Sequence, residues 1–205
     1  MRLVNYINEA TDEEVLNYFL AETKQYRDMM KGVRLWRAHN HKINGVQKFS
    51  HRHERRPKDT PKEVHVWLDA WFKKKFGFKA RSDAVFAAST PNGIDMFGKY
   101  TDLIYPVNGF KFVYANTIQD LTAWLEDNGY IQQIGTKWYV DPKFEDERYR
   151  KDLEKILSRE YQHTDLPSAS WSSTEVMLHC PNGYYMVGGN DYFRNNFDAI
   201  EGDYK

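Results

Sequence analysis

Two pairs of histidines stand at alternate positions, a spacing that puts both imidazoles of a pair on one face of an extended strand. The pairs are His39 with His41 and His51 with His53. Metal ions bind imidazoles in such an arrangement, but the carboxylates that follow closely are Glu54 and Asp59 alone. We therefore favour solvated loop histidines, predict no metal site, and keep a metal-dependent nuclease as the weakest hypothesis.

A basic segment spans residues 51–58 and contains Arg52, Arg55, Arg56 and Lys58. Such a cluster suits the phosphates of a nucleotide or of a nucleic acid. It equally suits a flexible basic loop that leads into a helix. An alternative hypothesis is therefore a non-catalytic nucleic-acid-binding or inhibitor protein that uses this segment.

Three short segments on predicted strands each carry a polar residue that could handle a nucleotide. They are Leu35–Ala38, Phe86–Thr90 and Ser173–Leu178. In this order they resemble the arginine–serine–glutamate signature of ADP-ribosyltransferases. The first segment is similar to the family strand with an aromatic residue, Arg and a small residue, and the last to the strand in which the catalytic glutamate precedes three apolar residues.

The resemblance implies that the protein uses NAD as its substrate. It places Arg37 in contact with NAD, and Ser89 with Thr90 in the pocket for the nicotinamide ribose. It makes Glu175 the catalytic glutamate. Tyr100 is expected to form an aromatic wall of the NAD cleft, for which Tyr184 and Tyr185 are alternatives.

These residue types suit the reaction that the resemblance implies. Breaking the bond between nicotinamide and ribose develops oxocarbenium character, which a fixed carboxylate stabilises. An arginine fork binds a pyrophosphate through paired charge-assisted hydrogen bonds. The sequence has no Rossmann fingerprint and no Walker motif, so NAD is expected to bind in the cleft that the ADP-ribosyltransferase resemblance implies.

Two departures from the family pattern shape the hypothesis. Arginine-directed members carry Glu two positions before the catalytic glutamate, where this chain has Ser173. Ser173 is assigned to the catalytic site, and we expect a macromolecular acceptor, protein or nucleic acid, other than an arginine side chain. The interval from Ser89 to Glu175 is longer than the compact family core requires, so residues 117–165 are interpreted as an insertion.

The elements that must position these residues follow from periodicity and turn chemistry. Apolar spacing predicts helices over about 12–31, 60–76, 117–128 and 144–161, the second opened by a capping box at Thr60–Glu63. Hairpin turns are predicted at Asn44-Gly45, Asn108-Gly109, Gly135 and Asn182-Gly183. The pattern indicates a single α+β domain over 1–205, with an N-terminal helical segment over 1–32. Antiparallel hairpins are expected to form a split β-sheet core flanked by helices, as in ADP-ribosyltransferases.

Composition limits the setting in which the protein works. Lys plus Arg and Asp plus Glu both total 29, so net charge favours neither nucleic acid nor an anionic membrane. A single cysteine, Cys180, excludes an intrachain disulfide framework and favours a reducing compartment. No segment approaches the roughly 20 apolar residues that span a bilayer, so we predict a cytoplasmic protein without a membrane partner.

Overall fold

A computed structural model of the chain describes residues 12–51, 53–55, 59–91, 94, 97–171 and 175–188. These residues form five α-helices: α1 (Asp12–Glu22), α2 (Lys24–Met30), α3 (Lys62–Phe76), α4 (Leu121–Asp127) and α5 (Glu147–Glu160). Two 3₁₀ helices, Pro142–Glu145 and Leu166–Trp171, accompany them. The predictions made for Arg52, Arg56, Lys58 and Ser173 concern residues outside the described part of the chain.

Ten strands complete the α+β fold. They are β1 (Trp36–His39), β2 (Gly45–Phe49), β3 (Val85–Ala88), β4 (Tyr100–Pro106), β5 (Lys111–Ala115), β6 (Ile131–Ile134), β7 (Lys137–Val140), β8 (Tyr161–Gln162), β9 (Glu175–His179) and β10 (Tyr184–Gly188). Eight of them form one antiparallel sheet in the order β2-β10-β4-β1-β3-β9-β5-β8. β6 and β7 form a separate hairpin.

The large sheet consists of two four-stranded halves that meet between β1 and β3. Those two strands pair only at Trp36 and Ala88 within the described residues. By contrast, β1 pairs with β4 over four residues, and β3 pairs with β9 over four. The sheet is therefore open on one side of the Trp36–Ala88 pair.

The buried apolar side chains form two clusters on opposite faces of the sheet. On β9, Val176 and Leu178 belong to the first cluster, whereas Met177 belongs to the second. Helices α1 and α2 cover the first cluster, and α3, α4 and α5 cover the second. Among the described residues, no helix combines the length and the apolar character needed to cross a bilayer.

The helix predicted after Thr60 is confirmed, although its start differs. Helix α3 buries Val64, Leu68 and Phe72 and ends at Gly77, which adopts φ 83°. The predicted capping box is wrong because Pro61 is the N-cap residue and no side chain caps the helix. The hydroxyl of Thr60 instead lies 3.2 Å from that of Thr122.

The single helix predicted over about 12–31 is two helices. The chain departs from helical geometry at Thr23, whose hydroxyl donates to the carbonyl of Phe19 at 2.6 Å. A Thr hydroxyl that bonds the preceding turn in this way often bends a helix. Apolar periodicity continues across the break, which is why the sequence predicted one element.

Three of the four predicted hairpins are wrong, and only the turn at Gly135 joins paired strands, β6 and β7. Asn44-Gly45 leads from β1 to β2, which are not neighbours. Asn108-Gly109 and Asn182-Gly183 each carry the chain from one half-sheet to the other. Gly109 and Gly183 do adopt positive φ, at 87° and 90°, so the turn chemistry is correct and the strand pairing is not.

Gly183 offers a test of this crossing turn, with Gly129 as a matched control. Both residues have positive φ, but a Cβ on Gly183 would lie 2.6 Å from the carbonyl oxygen of Phe49, whereas one on Gly129 meets nothing within 4 Å. We expect Gly129→Ala to cost about 1–2 kcal/mol of unfolding free energy, and Gly183→Ala to cost about 1–3 kcal/mol more. Urea denaturation measures both values, and equal losses would contradict the close approach.

Candidate functional site

The three segments singled out in the sequence lie on adjacent strands. Trp36 of β1 pairs with Ala88 of β3, and Ala88 pairs with Glu175 of β9. Arg37 and Ser89 each stand one residue from this row. The fold thus brings the three backbone segments together at the junction of the half-sheets.

Glu175 occupies a shielded position at the start of β9. Its side chain is 18% exposed, and its Oε1 accepts a hydrogen bond from Nη1 of Arg81 at 3.2 Å. Its backbone N–H donates to the carbonyl of Gln119 at 3.1 Å, which fixes the strand against the segment before α4. Burial raises the pKa of Glu175 to about 7, although the charge of Arg81 opposes the shift.

Arg81 is held from two sides in the loop between α3 and β3. Its side chain is 7% exposed, and its Nη2 donates to the hydroxyl of Thr122 at 3.1 Å. Its backbone N–H donates to the carboxylate of Asp69 at 2.9 Å. The guanidinium is therefore held in position by contacts other than its ion pair with Glu175. Its Nε is buried with no partner among the described residues.

A Ser–His–Asp group accompanies Arg81 but lacks the geometry of a hydrolytic triad. The carboxylate of Asp69 accepts from the hydroxyl of Ser82 and lies 3.3 Å from Nε2 of His65. Nε2 of His65 also lies 2.9 Å from the hydroxyl of Ser82, whereas Nδ1 is buried without a described partner. In a hydrolytic triad the serine and the acid contact different imidazole nitrogens, whereas here both contact Nε2. This group is therefore a buried hydrogen-bond network that connects α3 to the Arg81 loop.

Arg37 lies at the open side of the junction and does not contact Glu175. Trp36 packs against the first apolar cluster, so Arg37, the next residue on the strand, leaves toward the face of the second cluster, to which Phe86 belongs. Its Nη1 donates to the carbonyl of Phe86 at 3.0 Å, and its guanidinium carbon lies 5.7 Å from the centre of the Tyr184 ring. Arg37 thereby bridges the two half-sheets where strand pairing is lost.

Arg55 brings a further cation to the same place. Its guanidinium carbon lies 4.4 Å from the centre of the Phe86 ring, and that of Arg81 lies 5.2 Å from the same centre. Loss of water where the guanidinium packs on Phe86, together with the charge of Arg81, lowers the pKa of Arg55 from its ordinary value. Arg37 acts in the same direction, and Glu175 and Asp59 oppose it. Three guanidinium groups thus surround one residue, Phe86.

The remaining predicted residues are more dispersed. The hydroxyl of Ser89 is buried without a hydrogen-bond partner among the described residues, and no contact joins it to Glu175. Thr90 follows Ser89 in the bend after β3. Tyr100 pairs with His39, three residues along β1 from Trp36 and roughly 10 Å away. Tyr185 packs edge-on against Phe19 in the core. Of the three tyrosines considered for the cleft wall, Tyr184 is therefore the one that contacts Arg37 at the junction.

The histidines form separate groups. His39 lies 2.8 Å from the carboxylate of Asp102. The ring of His51 contacts those of His53 and His179, with centroid separations of 4.5 and 5.0 Å. Burial lowers the pKa of His51, and the two neighbouring imidazoles act in the same direction. In the part of the chain that the structure describes, no group of three or more His, Cys, Asp or Glu side chains is arranged to hold a metal ion.

No motif in the sequence predicted a role for Arg81, Asp69 or Thr122. One signal could have indicated them, because Asp69 lies one residue from Leu68 on the buried side of α3. A carboxylate there requires a buried donor. The partner turned out to be the Arg81–Ser82 backbone.

Comparisons with known proteins return no match: no protein-family model, curated protein or solved structure matches this chain. The candidate site is therefore defined by its own residues and contacts. They are Arg37, Arg55, Arg81, Phe86, Tyr184 and Glu175.

Proposed function

We propose that the protein is an NAD-dependent mono-ADP-ribosyltransferase that modifies a macromolecular acceptor. The observation that carries the proposal is the row Trp36–Ala88–Glu175, which joins the three segments resembling the arginine–serine–glutamate signature across neighbouring strands. The resemblance rests on sequence alone, so the adjacency of the three strands supports the proposal independently.

In this proposal Glu175 stabilises the oxocarbenium that develops on the nicotinamide ribose. A carboxylate does this best where it is fixed and shielded from water. Glu175 is 18% exposed and anchored by Arg81, which is itself anchored by Thr122. The ion pair also favours the ionised carboxylate that the role requires.

The cationic side of the junction suits the pyrophosphate of NAD. Arg37 donates to the backbone carbonyl of Phe86 there, and the exposed Arg55 lies over the ring of Phe86. The buried hydroxyl of Ser89 has no hydrogen-bond partner among the described residues, and in this proposal it bonds the ribose. Ser173 in place of a second carboxylate directs the proposal toward an acceptor other than arginine, either a protein side chain or a nucleic acid, within the cytoplasm.

The proposal is tested by measuring nicotinamide release from NAD by the purified protein in the presence of cell lysate, which supplies acceptors. Release that depends on the protein is expected. A folded protein that leaves NAD intact in every lysate fraction would contradict the proposal.

The rate of nicotinamide release should increase with pH. The pKa of Glu175 is raised to about 7, so the carboxyl is mostly protonated below that pH and gains its charge as the pH increases. Because the ionised form is the active one, kcat/KM should rise through about pH 7 with one ionisation and then level off. Steady-state rates at constant ionic strength give the profile, and a rate that falls over the same range would contradict the assignment.

The second candidate, nucleic-acid binding without catalysis through residues 51–58, is favoured by one observation. Arg55 is exposed and has no carboxylate within ion-pair distance among the described residues. Salt-sensitive binding of an oligonucleotide, without nicotinamide release, is the result that this candidate predicts.

A further inference from the structure

The junction of the half-sheets forms a wedge, defined here by Arg37, Arg55, Phe86 and Tyr184. Strand pairing between β1 and β3 is restricted to Trp36 and Ala88 in the described residues, so the strands separate beyond that pair. Phe86 lies on one side of the wedge. Tyr184, stacked on Phe49 with ring centres 5.5 Å apart, lies on the other. The wedge therefore has aromatic walls from both half-sheets.

Two cations in the wedge lack a carboxylate partner. Arg81 is paired with Glu175, but neither Arg37 nor Arg55 has an acid within ion-pair distance among the described residues. Asp102 stands opposite Arg37 in the strand register, yet its carboxylate bonds His39 at 2.8 Å. The charges of Arg81 and Arg37 act on Arg55 against those of Glu175 and Asp59, and an anion bound between the guanidinium groups would relieve their repulsion.

We propose that Arg55, with Arg37 beside it, binds a phosphate group of a nucleotide ligand in this wedge. The guanidinium of Arg55 rests on Phe86 and makes no hydrogen bond to a described residue, so its donor edge is available. A guanidinium fork matches two phosphate oxygens at once. The pyrophosphate of NAD is the source that the proposed function implies, and a nucleic-acid phosphodiester is the other source of the same chemistry.

The subsite is tested by the affinity of ADP-ribose for wild type, Arg55→Gln, Arg55→Lys and the control Arg148→Gln. Arg148 is on α5 with a side chain 91% exposed, so its removal tests for general loss of positive charge. We expect Arg55→Gln to weaken ADP-ribose binding about tenfold or more. Arg55→Lys should recover part of the loss, because lysine keeps the charge without the fork. Inorganic pyrophosphate should compete with ADP-ribose in wild type.

Three results would overturn the subsite: equal ADP-ribose affinity in Arg55→Gln and Arg148→Gln, no competition by pyrophosphate, or no binding of ADP-ribose and of an oligonucleotide by wild type. Oligonucleotide binding that Arg55→Gln weakens, without ADP-ribose binding, supports the phosphate subsite and contradicts the transferase proposal. Nicotinamide release with a KM for NAD that Arg55→Gln leaves unchanged contradicts the subsite alone. The two proposals therefore fail separately.

Discussion

We expect nicotinamide release to fall by about 10²–10³-fold in the Glu175→Gln variant, because the amide keeps the shape of the side chain and removes the charge that stabilises the oxocarbenium. The loss should be in kcat, since the carboxylate acts on the transition state and not on NAD binding. Steady-state kinetics with purified protein and a fixed amount of lysate measure it. Circular dichroism and the melting temperature establish that the variant is folded.

Glu160→Gln is the matched control for this experiment. Glu160 is similarly shielded, at 13% exposure, and is likewise paired with an arginine, Arg159. It lies at the end of α5 and directly before β8, the edge strand that β9 and β5 separate from β3. We expect its substitution to leave turnover unchanged. If both variants lose activity equally, or if Glu175→Gln keeps wild-type turnover, Glu175 does not have the catalytic role.

Arg81→Met should lower the free energy of unfolding by about 3–5 kcal/mol at pH 8, because it leaves the carboxylate of Glu175 buried without its counter-ion. Thr122 also loses its hydrogen-bond donor from Arg81. Guanidinium chloride denaturation measures the difference. Arg81→Met/Glu175→Gln should regain most of the loss, since the double substitution leaves no unpaired charge.

The loss of unfolding free energy in Arg81→Met should depend on pH. The pKa of Glu175 is raised from 4.5 to about 7 in the folded protein, so between these values the folded state binds a proton that the unfolded state has released. The contribution of this group to stability is therefore full below about pH 4.5 and is lost as the pH rises through about 7. Removing Arg81 raises the folded pKa further, so Arg81→Met should cost less at pH 5 than at pH 8. An equal cost at both values would contradict a charge-based role.

Helical periodicity and the composition of the turns predicted much of the secondary structure. Helix α3 was placed by Val64, Leu68 and Phe72 at helical spacing and by Gly77 at its end, because burying an apolar stripe is sufficient to specify a helix. The β6–β7 hairpin was found from Gly135 between two short strands. These are elements whose stability is decided by residues close together in sequence.

The sheet topology could not be predicted in the same way. An Asn-Gly turn specifies positive φ locally, but it does not determine which edge the next strand joins. The turn at Asn108 also contacts the break between the first two helices, since the amide of Asn108 donates to the carbonyl of Ala21 at 3.0 Å and accepts from the N–H of Gln25 at 2.9 Å. Those long-range bonds help to hold the crossing between the half-sheets, and no local pattern encodes them.

The candidate site was predictable in part. The resemblance singled out the segments of Arg37, Ser89 and Glu175, which the fold places on neighbouring strands. It could not identify Arg81 as the partner of Glu175, because these residues meet only through the path of the chain between α3 and β9. The resemblance also implied that Ser89 lies in the pocket for the nicotinamide ribose, whereas no contact joins Ser89 to Glu175 in the described residues.

Transfer of label from NAD to an acceptor tests the proposed ADP-ribosyltransferase activity most directly. NAD labelled in its adenylate phosphate is incubated with cell lysate and either wild type or Glu175→Gln, and the products are separated under denaturing conditions before protease or nuclease digestion. We predict a covalently labelled macromolecule with wild type and none with the variant, and the digestion identifies its class. A folded wild-type protein that labels nothing and releases no nicotinamide would contradict the proposed activity.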